Sequence, residues 1–207
     1  VILILSLMKM LMLKELLKKN LKIVPFVVAM MLIVLASNYL VQFQFNFFNL
    51  QNILTWGAFT YPIAFLITDI ANRIYGLSFA KKIIIIGFIW GVFISSLFSL
   101  KAIDLISIRI VVGSGIAFLV AQTMDAKIFD KLRNLKSWFI PPIVSSSIAS
   151  FFDTLIFFSI AFYNTGVPWI TLSIGDFCVK MLMALLLLIP FRLIILNLFL
   201  VNRPFSN

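Results

Sequence analysis

The chain has 207 residues, of which 63% are hydrophobic and only 12% charged, and its formal net charge is +10. A soluble domain needs about a quarter of its residues charged to cover its surface, so the composition excludes a water-soluble monomer and predicts an all-α integral membrane protein. With no His and a single Cys, Cys178, the chain cannot form an internal disulfide or the usual zinc ligand sets, and no metal or cofactor is expected.

The chain opens on the apolar stretch Val1 to Met8, ahead of its first lysine. A secretory signal puts its charge first, so this stretch is not read as a signal peptide, and Met8 offers an alternative start. Lys14, Lys18 and Lys22 recur every four residues beside Leu13, Leu16, Leu17 and Leu21. That spacing predicts, for residues 1–22, a basic amphipathic segment on the inner membrane surface. Six apolar stretches follow: Ile23 to Leu40, Ile53 to Ala71, Ile83 to Leu100, Leu105 to Met124, Trp138 to Phe162, and Trp169 to Phe191. Lipid leaves an unpaired backbone group without a partner, so each is expected to be a transmembrane helix. The last two exceed the hydrocarbon thickness, which predicts tilt or a kink near Pro141, Pro142 and Pro190. Residues 23–196 are expected to form one membrane domain, with 197–207 a short cytoplasmic tail.

The basic residues set the orientation, because short cytoplasmic loops collect Lys and Arg. With the amino terminus inside, the inner segments hold 14 of the 17 basic residues. Lys101 alone falls in an outer loop, while Arg109 and Lys180 fall within spans. Both termini are therefore expected to be cytoplasmic. The same alternation accounts for the positive charge through topology and anionic lipid, so no nucleic-acid partner is expected.

Ionisable groups inside spans cost several kcal/mol unless paired or wet, which makes them the first place to look for function. In the second span Tyr61, Phe65, Thr68 and Asn72 share a helical face, with Asp69 and Arg73 one residue further round. Asp69 and Arg73, spaced i and i+4, either neutralise each other or face a ligand. Arg109, Gly113, Ala117 and Ala121 form a small-residue stripe for close helix contact, with Arg109 free to snorkel outward. Gln122 and Asp125 continue that helix inward, to line a pocket or cap the end. Ser146, Ser150, Asp153 and Phe157 mark a stripe of the fifth span, and no basic residue lies within a turn of Asp153. It must meet a cation from another helix, stay protonated or face water, and its isolation favours a substrate or proton-linked role. Asp176 precedes Lys180 by four, the favourable order for a helical ion pair, and Asp153 is also within reach of Lys180 across helices.

Helices rich in aromatic rings with a few carboxylates, amides and hydroxyls suit a flat heteroaromatic solute. Rings stack on its faces, Trp56 and Tyr61 being placed for that, and a carboxylate accepts paired N–H donors from a guanine-like edge. No His-Glu-x-x-His helix or Walker loop is present, and Gly113-Ser114-Gly115 lies in an apolar run, so an enzyme is not expected.

Ser37-Asn38-Tyr39-Leu40-Val41-Gln42, Thr55-Trp56-Gly57-Ala58-Phe59 and Phe65-Leu66-Ile67-Thr68-Asp69, then Arg73-Ile74-Tyr75-Gly76, form an ordered series of motifs. The series continues through Ile94-Ser95-Ser96-Leu97-Phe98, Arg109-Ile110, Gln122 with Asp125, Phe129 with Leu132-Arg133, and Trp138 with Pro141. It closes on Asp153-Thr154-Leu155-Ile156-Phe157-Phe158, Ile160-Ala161-Phe162 and Asp176-Phe177-Cys178-Val179-Lys180. From about Ser37 to Arg192 the chain resembles the queuosine precursor transporters of the vitamin uptake transporter group. The resemblance implies a six-helix inner-membrane carrier importing a deazaguanine base, above all 7-cyano-7-deazaguanine, for queuosine synthesis in tRNA. It also implies Asp69, Asn72, Arg73, Gln122, Asp125, Asp153, Asp176 and Lys180 as site residues. Ser150 and Phe177 depart from the group's usual side chains, which leaves open the choice among the cyano base, its aminomethyl relative and queuine. The competing expectation is a membrane substrate-binding subunit that needs a separate energising complex; oligomeric state is not legible.

Overall fold

The computed structural model describes residues 2–40, 43, 45–46, 54–98 and 105–201, without the side chains of 2–20, 96–98, 105–107 and 198–201. The described chain is helical: α1 (Ile2–Leu40), α2 (Gly57–Thr60), α3 (Ile63–Tyr75), α4 (Leu77–Phe98), α5 (Leu105–Leu132), α6 (Ile140–Phe162), α7 (Trp169–Leu186) and α8 (Leu188–Val201). Among the described residues, five stretches are long and apolar enough to cross a membrane: Leu21–Leu40, Leu77–Ser95, Ile108–Leu132, Ile140–Phe162 and Trp169–Asn197. Their outer faces carry large apolar side chains in the open, among them Ile89, Trp90, Val111, Phe151 and Ile174. So much exposed apolar surface fits contact with lipid tails and not with water.

The second expected span is not one continuous helix. It breaks at Tyr61–Pro62 between α2 and α3, where Pro62 has no amide hydrogen and the chain steps through two turn residues. Ile53, where that span was expected to begin, lies outside the described residues. Pro141 and Pro142 do not kink the fifth span; they occupy its first turn, where a missing N–H costs nothing. The sixth span does break, at Leu187, three residues before Pro190. The basic amino-terminal segment runs without interruption into the first span as α1, through Pro25, and its lysines before position 21 are among the undescribed side chains.

Other boundaries move for local reasons. Past Met124, Ala126 and Phe129 stay buried while Lys127 and Lys131 face outward, so helical periodicity carries α5 on to Leu132. At the end of α3, Gly76 takes φ +86°, and its N–H bonds the Asn72 carbonyl at 2.9 Å. Only a residue without Cβ enters that left-handed turn cheaply, so α4 starts at once.

Small residues let the helices approach. A Cβ on Gly87 would lie 2.5 Å from Met30 Cγ, and one on Gly113 3.3 Å from Ile160 Cβ, so glycine sets the α1–α4 and α5–α6 spacings. Arg109 reaches toward the end of α6. It donates from Nε to the Ile160 carbonyl at 2.9 Å and from Nη2 to Tyr163 at 2.8 Å, capping the end of α6. The short α3 touches α1, α4, α5, α6 and α8, which makes it the hub of the bundle. Ala64 and Ala71 of α3 pack with Met30, Ile83, Ile84 and Phe118, while Ile70 meets Phe129, Phe191 and Ile195.

Candidate functional site

Polar side chains gather at two levels on α3, α5, α6 and α7. The first cluster follows α3 toward its carboxyl end. Thr68, Asn72, Gln122 and Asp125 are fully buried, and Asp69 is 2% exposed. Thr68 has one hydroxyl proton and spends it on Gln122 Oε1 at 2.7 Å, in preference to the Ala64 carbonyl at 3.1 Å. Asn72 Nδ2 donates to the Ala126 carbonyl at 2.7 Å, which bolts α3 to α5. Ser146 of α6 donates to Asp125 Oδ1 at 3.2 Å.

Asp69 and Arg73 do not pair here. The Asp69 carboxyl faces that of Asp125 at hydrogen-bonding range, and Arg73 lies beside Arg133 instead. The reason is packing: the α3 face bearing Asp69 turns into α5, while the end of the helix leaves Arg73 half-buried at the rim. Arg133 donates from Nη1 to the Asn72 carbonyl at 3.1 Å and pairs with Asp130, so it closes α3 and does not enter the cluster. Several polar atoms stay without a partner among the described residues: Asp69 Oδ1, Asn72 Oδ1, Gln122 Nε2, Asp125 Oδ2 and Ser150 Oγ. Orphaned polar atoms in a dry interior are costly and rare, so each asks for a visiting partner.

The second cluster is closed upon itself. Lys180 Nζ of α7 sits 2.7 Å from Asp153 Oδ2, 2.5 Å from Asp176 Oδ2 and 3.1 Å from Thr154 Oγ1. Thr154 in turn donates to Asp176 at 2.8 Å, and the Tyr61 hydroxyl donates to Asp153 Oδ1 at 2.8 Å. The ammonium also lies 5.4 Å from the Tyr61 ring centre. All three lysine protons are therefore committed. Asp153, isolated in sequence, meets its cation on the next helix, and Asp176 keeps its i,i+4 pair with the same lysine. Thr154 belongs to this cluster without standing out among the charged and amide residues of the spans; its spacing of four from Ser150 and eight from Ser146 is the signal that marks it.

A narrow hollow between α3, α6, α7 and α8 joins the two levels. Asp69, Ser146, Ser150 and Lys180 border it, with Phe65 and Phe191 among its apolar walls. Its non-atom space, open mouth included, is about 330 Å³. Its unobstructed room is that of about one water molecule, so a flat solute enters only when the helices part. Trp56 stands away from it, 40% exposed and packed on the rings of Phe45 and Phe59. Of the sequence-derived residues, Tyr61, Asp153, Asp176 and Lys180 come together at one level, and Asp69, Asn72, Gln122 and Asp125 at the other.

A family model described as vitamin uptake transporter matches residues 55–195. The chain is 35% identical to the "Probable queuosine precursor transporter" of Haemophilus influenzae, over 80% of this chain and 82% of that protein. It is 32% identical to the "Queuosine precursor transporter" of Escherichia coli, over 82% and 84%. A Bacillus subtilis protein named "Probable queuosine precursor transporter" is 28% identical over 64% and 67%. No solved structure matches the chain.

Proposed function

This chain belongs to the vitamin uptake transporter family and is a multi-pass membrane protein, and on that footing we propose that it imports a queuosine precursor, 7-cyano-7-deazaguanine or a related deazaguanine base, across the inner membrane. The broken α2–α3 segment serves as the second of six spans, with both termini in the cytoplasm and the lysines of residues 1–22 on the inner surface. A broken helix beside a polar site is the usual way a carrier exposes backbone and side chains at membrane depth.

The observation that carries the reading is the unpartnered buried atom on Asp69, which borders the hollow, together with those on Gln122 and Asp125 in the same polar cluster. A deazaguanine edge offers what they lack. Its N1–H and 2-amino group donate to a carboxylate, for which Asp69 is placed, and its O6 accepts from the free Gln122 amide. Asn72 and Asp125 support that edge from behind. The Tyr61–Asp153–Lys180–Asp176 cluster binds α6 and α7 to the break before α3 and acts as the latch over the hollow.

The test uses cells that can neither make nor import the precursor. Supplied with the cyano base at low concentration, they are expected to regain queuosine in tRNA when this protein is expressed; absence of queuosine with the protein present in the membrane overturns the reading. Uptake by the purified chain alone in vesicles separates a self-sufficient carrier from a binding subunit awaiting an energising complex.

A further inference from the structure

We infer that the Asp69–Asp125 carboxyl pair is the proton site of this carrier, taking one proton inward with each base, and that Arg73 replaces that proton when the empty carrier returns. The inference rests on the transport reading above and adds its source of energy.

The two carboxyls come from different helices, are 2% and 0% exposed, and lie on the stretches of α3 and α5 that the Thr68–Gln122 and Asn72–Ala126 hydrogen bonds tie together. A pair of buried acids with no cation is a place where one proton can be taken up and released. Among the described residues, no cation on the surrounding elements answers them. On α6 the facing groups are Ser145, Ser146 and Ser150, with Asp153 two turns along and already paired. Lys180 of α7 borders the same hollow but is committed to Asp153, Asp176 and Thr154. Lys127 and Lys131 of α5 face outward, and Arg192 of α8 stacks on Trp138 at 4.9 Å. Lys22 of α1 lies over Tyr75, and Lys81 and Lys82 of α4 make no ion pair among the described residues. Arg133 is held by Asp130 and the Asn72 carbonyl. Arg73 remains, one helical turn from Asp69, half-buried and with neither an ion pair nor a hydrogen bond among the described residues.

A second observation marks the pair as built for exchange. Ser150 is 1% exposed, its hydroxyl has no partner, and it borders the hollow together with Asp69. When a base edge takes the Asp69 carboxylate, the shared proton passes wholly to Asp125, which keeps Ser146 as its donor. The loaded carrier thus moves a neutral base and one proton, with no new unpaired charge. On the inner side both leave. The i,i+4 spacing then brings the Arg73 guanidinium onto Asp69, and its five donors also reach toward Asp125, so the empty carrier closes without the proton. One positive charge enters per base.

The test uses the full chain in proteoliposomes with radiolabelled 7-cyano-7-deazaguanine, reading counterflow exchange, accumulation and internal pH. With acid outside and the membrane potential clamped at zero, wild type is expected to accumulate the base about tenfold per pH unit, the ratio set by one proton at 1.36 kcal/mol per unit. Its lumen acidifies when the base is added. Asp125→Asn is expected to lose gradient-driven accumulation relative to its own counterflow rate, because a fixed neutral group carries no proton. In Arg73→Gln net uptake, which needs the empty return, falls about tenfold or more relative to that variant's own counterflow. Counterflow by wild type with no response to the pH gradient overturns the proton site and leaves transport standing, as does gradient-driven accumulation by Asp125→Asn. Absence of counterflow by folded wild type overturns the transport reading and this inference with it. The wild-type internal-pH signal decides the matter without either variant.

Discussion

Lys180 of α7 donates across the helix interface to Asp153 of α6 at 2.7 Å, and the same ammonium holds Asp176 one turn before it. One cation therefore serves two carboxylates, at 5% side-chain exposure for both Lys180 and Asp153. Lys180→Met leaves two acids buried without a cation and is expected to cost about 3–5 kcal/mol. Asp153→Asn keeps the Lys180–Asp176 pair, so it is expected to cost less, to insert normally and yet to abolish uptake by weakening the latch. Thermal unfolding in detergent, alongside uptake, checks the order; equal destabilisation by the two variants contradicts it.

Gln122 spends its carbonyl on Thr68 and keeps its amide free. Gln122→Leu is expected to preserve folding and raise KM for the cyano base about ten- to a hundredfold, the loss of about 1.4–2.8 kcal/mol of hydrogen bonding. Unchanged KM removes Gln122 from recognition of the base.

Gly87 and Gly91 both leave no room for a Cβ between α1 and α4. Gly87→Val places carbon where Met30 already stands, and overpacking of that kind costs about 1–3 kcal/mol. Met30→Gly in the same chain is expected to restore part of the loss, since both Met30 Cβ and Cγ stand in the way and only glycine removes both. A double-mutant cycle on the melting temperature measures that coupling, and simple additivity excludes it.

Arg109 reaches two carbonyls at the end of α6 with a planar fork. Arg109→Ala is expected to cost about 1–2 kcal/mol, and Arg109→Lys to recover little, because a point charge does not reproduce the fork. Hydrogen exchange over the last turn of α6 is the readout, faster in both variants while exchange in α3 is unchanged.

The hydrophobic run lengths and their 3.6-residue spacing were enough to establish helices and membrane character, because each is a property of contiguous residues; the family was legible only from the ordered motifs. Residue type and helical position also picked out the members of both clusters that carry charge or an amide: Asp69, Asn72, Gln122, Asp125, Asp153, Asp176 and Lys180 all lie there. The break at Tyr61–Pro62 was missed because the run across it stays apolar on both sides, and only backbone geometry distinguishes a proline that starts a helix from one that interrupts it. Partner choice was the other thing tertiary structure alone decided. Sequence offers Asp69 its neighbour Arg73 at i+4, yet α3 turns that carboxyl toward Asp125 on α5; sequence leaves Asp153 alone, yet α7 brings it Lys180. Spacing along one helix fixes which face a side chain occupies, whereas the rotation and depth at which two helices pack fix whom it meets there, and in a low-dielectric interior that meeting decides whether an acid is spent on structure or left free for a passenger.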